Sequence, residues 1–189
     1  IMENNLVITI NELYLLKNKK IDCICNKILK KMSFKSSKDL SNLKELCYWL
    51  YIYGYKTELK NLYSVIFSLS FVGNWDIWVP VESILALIYY IASKEINAQS
   101  DAQVALKKIM QAEVSNTDIA KRCEGSLLKE YEDKVQQYTA IGKKTILKNW
   151  LCYEMEELLL IYALGGSDKY PLNMIEKRVE DIKKQLQMM

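Results

Sequence analysis

The stretch LKELCYWLYIYGYKTELKNLYSVIFSLSFVGNWDIWVPVESILALIYYIAS, residues 43–93, decides the fold. It holds three of the four tryptophans, and between Asn61 and Ser93 it carries two acids, Asp76 and Glu82, and no lysine or arginine. In a chain whose charged fraction is 26 %, such a gap marks the core. The apolar spacing predicts three consecutive helices at roughly 40–55, 57–72 and 79–96. The first places Leu43, Leu46, Cys47, Leu50 and Gly54 on one side. Tyr48, Tyr51 and Tyr55 lie about a third of a turn away. A helix apolar nearly all round is normally covered on several sides, so this one is expected mid-structure. In the second helix, the polar line Asn61, Ser64 and Ser68 offers small residues that let a neighbouring helix approach. The third opens with Pro80, whose missing N–H costs nothing in a first turn, and Glu82 suits the positive end of the helix dipole. Its least apolar face is Glu82, Ala86, Tyr89 and Ser93.

Working outward, 189 residues, half of them hydrophobic, are enough for one domain with a sizeable core. The reading is a single all-helical domain over residues 1–189. Six glycines and two prolines leave few strand-bounding signals, which argues against a sheet-rich fold. A formal net charge of +3 implies no nucleic-acid partner unless the charge is concentrated locally. No basic leader followed by an apolar core is seen at the start of the sequence. The longest uncharged run, Asn61 to Trp75, is shorter than the roughly 18 apolar residues a membrane span needs. The expectation is a soluble protein without a membrane partner. Five cysteines, Cys23, Cys25, Cys47, Cys123 and Cys152, show no disulfide-framework spacing, which fits a reducing cytoplasm.

In chain order, Leu6, Ile10, Leu13 and Leu16 or Tyr14 predict an amphipathic helix over about 4–17, and a second is expected over about 21–32. Between Lys17 and Lys38 lie eight lysines against Asp22 alone. Such a run reads either as an acid- or phosphate-binding patch or as an ordinary solvated helix face, and the lack of arginine disfavours nucleic acid. Ser36, Ser37, Asp39 and Ser41 offer caps for the helix entering the central stretch, and Gly54 with Thr57 ends it. Mixed-sign faces from Ser100 to Gly142 describe a solvated outer layer, with breaks at 97–100 and 115–117. The next helix, Thr145 to Leu164, stops at Gly165-Gly166 and aligns Leu147, Trp150, Leu151, Glu154, Leu158 and Ile161. Pro171 begins the last helix, whose Lys183 and Lys184 suit its negative end.

The motifs Tyr51-Ile52-Tyr53-Gly54-Tyr55-Lys56, Gly73-Asn74-Trp75-Asp76-Ile77-Trp78 and Tyr170-Pro171-Leu172 resemble those of an uncharacterised family of bacterial all-helical proteins. The resemblance implies a helical fold and carries no activity. The paired helices are also similar to tetratricopeptide-type hairpins, with Leu46, Trp49, Leu50 and Tyr53 at the repeat's positions. No recurrence of the full repeat follows. The expected architecture is therefore all-α, about seven or eight helices stacked as antiparallel hairpins of repeat-like appearance.

The absence of histidine removes the commonest general base and every histidine-containing metal site. Cys23-Ile24-Cys25 has the wrong spacing for a metal or redox motif, and the six glycines form no phosphate loop. Cys123 beside Lys121 and Arg122 is a candidate for an acidified thiolate, weighed against an ordinary thiol. No metal or cofactor is expected. Two carboxylates remain, Glu82 and Glu154, which with Tyr89 would line a ligand cleft or support general-acid work if they met. The plainer reading pairs Glu154 with a lysine, Arg178 or a tyrosine hydroxyl. Thirteen tyrosines are the more unusual asset, and Tyr48, Tyr51 and Tyr55 form the candidate partner-binding stripe. The functional expectation is a non-catalytic cytoplasmic module that binds another protein, an immunity-type inhibitor being one version. The alternative is a small-ligand-binding domain or a carboxylate enzyme using Glu82 and Glu154.

Overall fold

In a computed structural model, residues 2–31, 37–68 and 116–189 are described. Among them eight α-helices and one 3-10 turn form, with no strand. Backbone contacts divide the chain into two compact units, Ile1–Ile109 and Met110–Met189. The helix expected at 79–96, the turn at 73–76 and the break at 97–100 lie outside the described residues. Glu82, Tyr89, Trp75, Trp78 and Pro80 lie there too.

The first unit begins with α1, Met2–Glu12, a 3-10 turn, Leu13–Leu16, and α2, Lys19–Lys31. The single helix expected over the first segment thus tightens after Glu12. Lys17 then takes a left-handed φ of 53°, its N–H reaching the Tyr14 carbonyl at 3.2 Å. Asn18 restarts the helix, its Oδ1 accepting the backbone N–H groups of Lys20 at 3.1 Å and Ile21 at 3.2 Å, two donors that otherwise have no partner in a first turn. The helix α3, Ser37–Ile52, follows, and α4, Lys56–Ser68, returns from it. Between them the Tyr55 N–H reaches the Leu50 carbonyl and the Gly54 N–H the Tyr51 carbonyl. This is a Schellman end with Gly54 at φ 75°, which is why the chain needs glycine there.

Successive helices pack on one another, and α1 also packs on α4, closing the set. Every residue from Leu46 to Ile52 is buried, so the last two turns of α3 are covered all round, as their composition requires. Leu6 and Ile10 of α1, Ile21, Ile24 and Ile28 of α2, and Leu59 and Leu62 of α4 are buried as well.

The second unit contains α5, Asn116–Glu124, α6, Ser126–Ile141, α7, Lys144–Ala163, and α8, Leu172–Gln187. Its longest helix, α7, packs along both α6 and α8. It stops in another Schellman arrangement, with Gly165 and Gly166 both at positive φ and the Gly166 N–H on the Ile161 carbonyl at 2.9 Å. Pro171, extended at φ −66°, is the N-cap of α8. The loop between α7 and α8 folds back on the α5–α6 junction, where Ser167 Oγ donates to the Cys123 carbonyl at 3.0 Å and accepts the Tyr170 N–H at 3.1 Å. The Tyr170 ring fills the space over Gly125, so a Cβ at Gly125 would lie 2.6 Å from the Tyr170 hydroxyl oxygen. Gly125, at φ 83°, breaks what reads in sequence as a continuous charged layer.

Candidate functional site

Helix α7 carries Glu154 and Glu157 one turn apart on the side that its neighbours cover. Both are buried, the two charged residues so placed among the described residues. From α8, Arg178 meets Glu154 through a two-point fork: Nε donates to Oε2 at 2.6 Å and Nη2 to Oε1 at 2.9 Å. From α5, Arg122 Nη1 donates to Glu157 Oε2 at 2.5 Å. Planar guanidinium against carboxylate is the geometry that offsets the cost of removing charge from water. Hydrogen bonding to Glu154 pushes the Arg178 guanidinium above its ordinary range, against the opposing effect of burial. Glu132 of α6 stands near this pair. Burial first, then the Glu154 charge, raises its pKa, while Arg178 pulls the other way.

This arrangement holds helices together and offers little to a reactant. Both oxygens of Glu154 are engaged and its side chain is 0 % exposed. Of the cleft expected from Glu82, Tyr89 and Glu154, only Glu154 lies within the described residues, and it faces Arg178. The plainer reading of Glu154 is the one observed. Cys123 is likewise no acidified nucleophile: burial and the nearby Glu157 push its thiol up, and Arg122 only partly opposes them. Among the described residues no group of three or more cysteine, aspartate or glutamate side chains could hold a metal ion.

The tyrosine stripe divides. Tyr48 and Tyr51 are interior residues, Tyr51 being 4 % exposed, and only Tyr55 is half-buried. Tyr48 and Tyr51 thus belong to the packing of the first unit, and Tyr55 is the part of the stripe that reaches its surface. What remains partly accessible is its end, where Tyr53 stacks on Tyr55 at 6.2 Å and Lys20 lies 5.9 Å over the Tyr53 ring.

A different aromatic group lies on the second unit. The turn at Gly142 brings α6 back against α7, and Tyr131 of α6 meets Trp150 at 6.0 Å and Tyr153 at 5.8 Å. Trp150 and Tyr153 meet edge to face at 5.5 Å, and Lys134 sits 5.7 Å over the Trp150 ring. Tyr153 is 46 % exposed. Burial, then the charges of Glu157, Glu156 and Glu130, raise the Tyr131 pKa and keep its phenol a donor. These residues carried no sequence-level flag, yet one was available: positions equally distant from the Gly142 turn face each other in a helical hairpin. Tyr131 and Tyr153 satisfy that condition closely.

Packed helices, internal arginine–carboxylate pairs and a half-exposed aromatic group characterise an all-helical protein. The chain belongs to the family of unknown function DUF6707, whose pattern it matches over residues 4–188. No curated protein and no solved structure shows significant similarity to it. Among the described residues, no helix is long and apolar enough to cross a membrane.

Proposed function

We propose that this protein is a non-catalytic binding or scaffold module that engages another protein, in a cytoplasmic, bacterial setting, with its hairpins stacked in repeat-like fashion. An immunity-type inhibitor covering a partner's active site is one form of this role. The observation that carries the reading is the Tyr131–Trp150–Tyr153 group, mutually packed at 5.5–6.0 Å and part-exposed on α6 and α7. Tyrosine and tryptophan bring large apolar area with a polar tip at low entropic cost. They are the commonest anchors of protein interfaces. The engagement of Glu154 by Arg178 supports the non-catalytic side of the proposal.

The test is capture of a partner from the native host by wild-type protein and by Trp150→Ala and Tyr153→Ala, with melting recorded on the same samples. A partner lost by Tyr153→Ala at unchanged melting temperature is the expected result. A partner held equally by both variants would remove this surface from the proposal.

A further inference from the structure

We propose that the outward face of α2, with Leu15 at its edge, docks an acidic segment of a partner protein that carries apolar side chains between its carboxylates. Ile21, Ile24, Cys25 and Ile28 all turn inward. The opposite arc presents Lys19, Cys23, Asn26, Lys27 and Lys30 to solvent, with Lys20 half-buried at its margin. The helix's one acid, Asp22, is half-buried and falls outside that arc, so the exposed surface is cationic along its length. Among the described residues no carboxylate pairs with Lys17, Lys19, Lys27 or Lys30. A solvated helix normally intersperses charges of both signs; four lysines left without acids form a positive field with nothing among the described residues to complement it.

Two features select the kind of partner. The 3-10 turn is fastened to the lysine side of α2 by Tyr14, whose hydroxyl donates to Asn26 Oδ1 at 2.5 Å. That bond fixes the turn, and with it Leu15, 81 % exposed and two residues before Lys17. Leucine beside lysines suits a peptide that alternates apolar and acidic side chains, and it contributes nothing to a phosphate backbone. The face also lacks arginine, the residue that grips phosphates and base edges by two points, which disfavours nucleic acid. Beyond Leu15 and Cys23 it has no apolar side chain to sink into a bilayer, which disfavours an anionic membrane.

The inference rests on the protein-binding reading but on a separate surface. It is tested with the whole chain and a labelled synthetic peptide of alternating glutamate and leucine, run beside single-stranded oligothymidylate and phosphatidylserine vesicles. The peptide is expected to bind, to weaken as salt rises, and to lose at least about tenfold in affinity in Lys19→Glu/Lys27→Glu/Lys30→Glu, with a smaller loss in Leu15→Ser. Because charge reversal can disturb folding, Lys19→Gln/Lys27→Gln/Lys30→Gln is measured as well, with melting followed for both. Equal binding by wild type and the glutamine variant overturns the proposal. So does tighter binding of the oligonucleotide or the vesicles than of the peptide. If the peptide fails while capture dependent on Tyr153 persists, the acidic-segment docking falls and the protein-binding reading stands.

Discussion

The two compact units bury different chemistry. The described part of the first encloses aliphatic and aromatic side chains from Leu6 to Leu62, its one inward carboxylate oxygen being Oδ1 of the half-buried Asp22, whereas the second runs Glu154 and Glu157 through its interior against Arg178 and Arg122. An apolar core gains stability from area and close packing but accepts several similar arrangements. A two-point arginine fork has one geometry, so the Arg178–Glu154 pair is expected to favour a single register of α8 on α7. The mutational signatures of the two interiors should therefore differ in kind.

The largest loss is expected in the first unit. Tyr51→Ala removes a ring that is 4 % exposed from the buried end of α3, and should cost about 3–5 kcal/mol by cavity formation. Urea unfolding measures it, and a midpoint near wild type would put Tyr51 back on the surface as a binding residue. The matching break in the second unit is Arg178→Met, which strands the Glu154 carboxylate. Because the Arg178 side chain is 36 % exposed and water can follow its removal, the loss should sit toward the lower end of about 3–5 kcal/mol. Adding Glu154→Leu should recover most of that loss. No equivalent recovery is expected for any second substitution beside Tyr51→Ala, and this asymmetry is the sharpest form of the contrast.

Gly125→Ala comes next. At φ 83° the added methyl is strained, about 1–3 kcal/mol for the backbone alone, and it also meets the Tyr170 ring. Tyr170→Ala in the same chain should relieve the clash while leaving the backbone strain, so the two losses should not add. This junction was hidden in the sequence. Glu124-Gly125-Ser126 lies within mixed-charge residues with no change of apolar period on either side, and a lone glycine there reads as tolerated within a helix.

The other stops were legible for a clear reason: Gly54 and Gly165-Gly166 fall where an apolar period ends, and Gly142 where one is about to begin, so local chemistry and tertiary packing agree. The burial of the last two turns of α3 was legible as well, because the run from Leu46 to Ile52 has no charged residue to turn toward water. The tyrosine stripe was not, since a ring's exposure depends on which neighbours arrive. The Arg122–Glu157 pair, 35 residues apart in sequence, was hidden for the same reason: spacing along one helix says nothing about a partner on another.

A smaller effect with a definite sign concerns pH. Burial and Glu154 raise the Glu132 pKa above its ordinary 4.5, so over the window just above 4.5 the folded chain holds a proton that the unfolded chain releases. The contribution of this group to stability is full below 4.5 and is lost as pH rises through the raised value. Glu132→Gln should accordingly be slightly more stable than wild type at neutral pH, and the difference should vanish on acidification. Paired urea titrations at acidic and neutral pH decide it, and a variant less stable at neutral pH would mean that attraction to Arg178 outweighs burial.

The smallest effect on stability is expected at Tyr153, and its smallness is what gives it meaning. The ring touches Tyr131 and Trp150 but is 46 % exposed, so truncation opens no enclosed cavity, and Tyr153→Ala should stay within about 0.5 kcal/mol of wild type. Natural folds carry many exposed tyrosines, so neutrality alone says nothing about binding. The informative quantity is the pair of numbers for one variant: a near-zero change in folding together with a loss of roughly 2 kcal/mol or more in partner affinity is the signature of an interface anchor. Tyr51→Ala should give the reverse pair, a large folding loss with any binding defect following unfolding. If Tyr153→Ala instead melts early, the aromatic group is a strut between α6 and α7, and the contrast between a packed aromatic set in the first unit and a presented one in the second disappears.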